Sequence, residues 1–111
     1  MDFIVDVITT GWPEEVVEKV IGIVEAVAGN RDVGKFCIDC GLDLSQAKLK
    51  HEADTIIVLY KTDNIDNAKL VQEVLVRLFL DSPKCSNRSD VETGETSEGG
   101  TNYIYVAVWY N

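Results

Sequence analysis

The chain has 111 residues, the size of one domain, and nineteen acidic against ten basic side chains give it a net charge of −9. That balance disfavours nonspecific nucleic-acid binding, which needs clustered Lys and Arg to displace counterions from phosphates. An apolar share of 46% supports a folded core, and no stretch nears the ~20 apolar residues of a membrane span. The three cysteines are an odd number, which argues against a closed disulfide framework. No basic region followed by an apolar run opens the chain, so no signal peptide is expected and the protein reads as cytoplasmic.

Residues 3–8 alternate around Asp6 and read as a strand, with Phe3, Val5 and Val7 on one face and Ile4, Asp6 and Ile8 on the other. Thr9-Thr10-Gly11 ends it. Pro13 then suits a first helical position, where its missing N–H costs nothing, and Glu14 and Glu15 suit the positive helix end. Val17, Val20, Ile21, Val24, Val27 and Ala28 recur at helical spacing up to the stop signal Gly29-Asn30. Gly22, in mid-helix, is expected to pack closely on a sheet. Residues 35–44 read as a second strand, and residues 45–53 as a polar link with a helical turn at 47–49.

Residues 55–60 form a nearly unbroken apolar run rich in β-branched side chains, as in a strand covered on both faces. Asp63, Asn64 and Asp66 supply acceptors for a helix start. Ala68, Val71, Val74, Leu75, Leu78 and Phe79 then give a helix its apolar stripe, and Ser82-Pro83 ends it. A flexible loop dense in Ser, Thr, Gly, Asp and Glu is expected over 83–102. Residues 103–110 close the chain as a strand, with Ile104, Val106 and Val108 on one face and Tyr103, Tyr105 and Trp109 on the other.

The order strand, helix, strand, strand, helix, strand favours an α+β fold over a single domain, 1–111. The expected form is a ferredoxin-like sandwich: a four-stranded antiparallel sheet, two helices on one face, and the first and third strands central. Such folds carry many functions, so function must come from sites.

The sharpest chemical pattern is Cys37-Ile38-Asp39-Cys40-Gly41, which looks like a zinc knuckle. A second pair is missing, and only His51 and Cys85 could complete a Cys37/Cys40/His51/Cys85 set. Ordinary reduced cysteines are the expectation, with no metal and no cofactor. His51 reads as a solvated loop histidine. With no nucleophile spaced to use it, the chain is not expected to be an enzyme.

The acidic charge instead suggests a small protein-interaction module, such as an inhibitor, an immunity protein, a phage counter-defence protein or a regulatory protein. Its partner would be a protein with a basic patch, or a second copy making a dimer. The expected surface is the sheet face away from the helices, through Ile4, Ile8, Tyr103, Tyr105 and Trp109, rimmed by Glu14 and Glu18. Val58 and Tyr60 would join it in one register of the third strand. The alternative is a small-molecule- or metal-responsive domain acting as a dimer.

Overall fold

A computed structural model describes residues 3–42, 44, 51–86 and 101–111, residues 3–9 by their backbone. The elements are β1 (Phe3–Thr9), α1 (Pro13–Gly29), β2 (Val33–Gly41), β3 (Thr55–Thr62), α2 (Ile65–Phe79) and β4 (Asn102–Tyr110). Local chemistry explains their limits. Pro13 opens α1, with Glu14 and Glu15 in its first turn. The Asn64 side chain caps α2 by accepting hydrogen bonds from the Asp66 and Asn67 backbone N–H groups at 2.9 and 3.1 Å.

Among the described residues the fold is α+β, with two helices and a three-stranded antiparallel sheet in which β4 lies between β2 and β3. β1 runs parallel to β3 along its outer edge, so the full strand order is β1-β3-β4-β2. The ferredoxin-like sandwich with a four-stranded antiparallel sheet is therefore corrected. There the first strand would be central and the last at an edge. Here the reverse holds, because β4 is apolar on both faces and both are covered. Ile104, Val106 and Val108 are buried toward the helices, and Tyr105 and Ala107 are buried on the other side. A strand with two dry faces belongs inside a sheet. β1, with Asp6 in its middle, is the kind of strand that tolerates an edge.

The helices share one face. Val16, Val20, Val24 and Val27 of α1 meet Ala68, Val71, Leu75, Val76 and Phe79 of α2 over Phe36, Ile38, Leu59, Ile104, Val106 and Val108. Burying each aliphatic side chain contributes about 1.5–3 kcal/mol. On α2 the buried stripe includes Gln72 and Val76, while Leu70 and Leu78 are exposed. That helix carries more apolar residues than one face can hold, and the core takes the set centred on Leu75. Gly22 is exposed, and a Cβ there would meet nothing within 4 Å, so the expected close packing on the sheet is absent.

β3 bulges between Val58 and Tyr60: Val58 stands opposite Tyr105 and Tyr60 opposite Ile104, leaving Leu59 as the extra residue. Leu59 and Tyr60 consequently both enter the helix-side core, while Ile56 and Val58 point to the other side.

Both β2 and β3 run antiparallel to β4, so they point the same way. The chain between them must return the full length of the sheet. The described residues of this return, Leu44 and His51 to Ala53, lie over the face opposite the helices.

The outer edge of β2 is paired as well. The Phe36 N–H donates to the Lys84 carbonyl at 2.9 Å, and the Ser86 N–H donates to the Phe36 carbonyl at 2.8 Å. Residues 84–86 thus belong to the fold, whereas most of the expected 83–102 loop lies outside the described residues. The Cα radius of gyration is 12.6 Å, near the ~13 Å of a folded chain of this length. Among the described residues, no helix is long and apolar enough to cross a membrane.

Candidate functional site

The return segment brings together three polar side chains from β2, the segment itself and β4. His51 Nε2 lies 3.2 Å from Asp39 Oδ2 and 3.0 Å from the Tyr105 hydroxyl. The Tyr105 hydroxyl also donates to Asp39 Oδ2 at 3.4 Å, and the Cys40 N–H donates to Asp39 Oδ1 at 2.8 Å. The Tyr105 and Trp109 rings stand edge-on to the His51 ring, with centroids 5.7 and 6.2 Å away. Burial pushes the Tyr105 phenol well above its ordinary range, and the charge of Asp39 pushes it further.

His51 is not the solvated loop histidine expected from its neighbours, since only 13% of its side chain is exposed. The Trp109 indole N–H donates to the Glu52 carbonyl at 3.1 Å, and the Lys35 ammonium lies 4.5 Å from the Trp109 ring centre. The indole–carbonyl bond, with the His51 contacts, holds the return segment against the sheet. The buried Asp39 carboxylate needs the donors that Tyr105, His51 and the Cys40 N–H supply, because an unsatisfied one would cost several kcal/mol.

The residues expected to form a partner surface are therefore distributed differently. Tyr105 is 1% exposed, and Tyr103 and Trp109 are partly buried against Ile56, Val58 and Ala107. Tyr60 lies in the helix-side core, with its hydroxyl donating to the Gly11 carbonyl. Ile4 and Ile8 lie on β1, Ile4 opposite Ile56, and their side chains fall outside the described residues. Glu14 and Glu18 are exposed on α1.

The four candidate metal ligands do not converge. β2 continues through Cys40 to Gly41, so Cys37 packs on the return-segment face and Cys40 on the helix face. Cys85 packs on the helix side and His51 on the other. No group of three His, Cys, Asp or Glu among the described residues could hold a metal ion.

A second place lies at the other end of the β1–β3 pair. β1 and β3 end side by side, and each leads by a tight turn into a helix. Between the two turns opens a cleft of ≈ 470 Å³, lined chiefly by Thr10, Gly11, Trp12, Lys61, Asp63 and Asn67. Gly11 has φ +120°, which a residue with a side chain rarely adopts, and the Glu15 carboxylate lies beside it. Trp12 follows as the helix N-cap, and its side chain makes no capping hydrogen bond. It is 59% exposed at the edge of the cleft. The signal was present: tryptophan occupies a cap position that Ser, Thr, Asp or Asn normally fill, between a glycine and a proline.

Comparison with known proteins finds no match, whether among family models, curated proteins or solved structures.

Proposed function

We propose that this chain is a small, acidic, non-catalytic module that binds a protein partner at the cleft where β1 and β3 end. The observation that carries this reading is Trp12, a large aromatic side chain exposed beside an open cleft and fixed between a left-handed glycine and a proline. Tryptophan is the residue type most enriched among energetic anchors of interfaces, and a rigid backbone lowers the entropy lost on binding.

A catalytic reading has less support. The Asp39–His51–Tyr105 group is enclosed by ring edges and by the return segment, and its contacts serve to fix that segment.

The test is Trp12→Ala in an affinity-tagged chain purified from the native host. The expected result is loss of a stoichiometric partner with an unchanged melting temperature, while Leu78→Ala, elsewhere on the surface, retains the partner. Retention of the partner by Trp12→Ala would remove the cleft from the mechanism.

A further inference from the structure

We infer that the occupant of this cleft is an arginine side chain from a basic segment of the partner. The inference rests on the reading of the cleft as the partner site and adds its chemistry. Two features of one ligand are implied. An exposed indole face attracts a planar cation, which stacks on it. The charges at this end of the molecule select the same sign. Asp63 lines the cleft, the Glu15 carboxylate lies beside Gly11, and Glu14 and Asp66 stand in the first turns of the two helices.

Against these carboxylates stand the Lys61 ammonium and the two helix ends, about half a positive charge each. The end of α2 is already occupied in part, because Asn64 accepts from two of its N–H groups. With Asp63 in the lining balancing Lys61, and Glu15, Glu14 and Asp66 in the adjoining first turns, the surroundings of the cleft are more negative than positive, which repels an anion and attracts a cation. Arginine fits better than lysine, since its fork can reach a carboxylate while its plane lies on the ring. The Thr10 hydroxyl offers an acceptor to the remaining N–H groups, and Thr62, which already accepts from the Asn64 N–H at 3.1 Å, has a second lone pair beside it.

The experiment uses the full chain and three synthetic peptides of equal length, bearing arginines, lysines or glutamates spaced by glycine and serine, with titration calorimetry at low and physiological salt. The arginine peptide is expected to bind most tightly and to weaken as salt rises. Its affinity should fall about threefold to thirtyfold in Trp12→Ala. It should also fall in Asp63→Asn, and Trp12→Phe should retain most of it.

Equal or tighter binding of the glutamate peptide, no binding of the arginine peptide, or binding indifferent to both Trp12→Ala and Asp63→Asn would each overturn the inference. If that happens while Trp12→Ala still loses the native partner, the site stands and only its chemistry falls.

Discussion

Tyr105 has a hydroxyl shared between Asp39 and His51 and a ring packed under the return segment. Replacing it by Phe keeps the ring and withdraws one donor from a carboxylate that is 5% exposed. The expected loss is about 1–3 kcal/mol at neutral pH, read from urea denaturation. The same hydroxyl makes the fold sensitive to alkali. Below the ordinary phenol value of 10.0, folded and unfolded chains both keep the proton. Above it the unfolded chain releases the proton while the folded chain holds it, because burial and then Asp39 raise the folded value. Stability should thus fall as pH rises from 10.0, by about 1.4 kcal/mol per pH unit from this residue. Tyr60, also raised chiefly by burial, acts in the same direction. Denaturation midpoints measured across that range should decline less steeply in Tyr105→Phe than in the parent chain. Equal slopes would show that Tyr105 ionises in the folded protein as it does in the unfolded one. None of this was legible locally, because His51 lies 12 positions from Asp39 and 54 from Tyr105. Its own neighbours, Glu52 and Asp54, are those of a surface loop.

The strand β3 and the helix α2 were the most legible elements. A β-branched run, an Asn cap and apolar residues at helical spacing each have one local solution. The rotation of α2 was less so, since Leu70, Val74 and Leu78 compete with the residues that become buried. Leu75→Ala should cost about 2–5 kcal/mol by leaving a cavity. Leu78, 57% exposed, should change stability by less than about 0.5 kcal/mol when replaced by Ala. Thermal melts of the two variants check the rotation directly, and equal effects would contradict it. On α1, Gly22→Ala should stabilise the protein by about 0.5–1 kcal/mol, because it removes backbone freedom from the unfolded chain and its Cβ meets no neighbour within 4 Å. A lower melting temperature in that variant would mean that the outer side of α1 is covered.

At the scale of the whole molecule, the order of elements was readable and their arrangement was not. Alternation along residues 103–110 shows which side chains share a face, but not that a distant segment lies over one of those faces. That segment turns β4 from a strand with one wet face into an internal strand, and the topology changes with it. β4 is the only described strand that joins β2 to β3. A chain ending at residue 86 should therefore lack native chemical-shift dispersion in two-dimensional NMR. A native-like spectrum from it would mean that the sheet can assemble by another pairing. The same arrangement bears on how the protein is made. β4 leaves the ribosome after every other element described here, so through most of synthesis β2 and β3 have no common neighbour and their apolar faces remain wet. The β3-β4-β2 part of the sheet can close only once residues 102–110 are available. A copy cut short before that point keeps at most the β1–β3 pair, with β2 detached from it, and is open to chaperones and proteases.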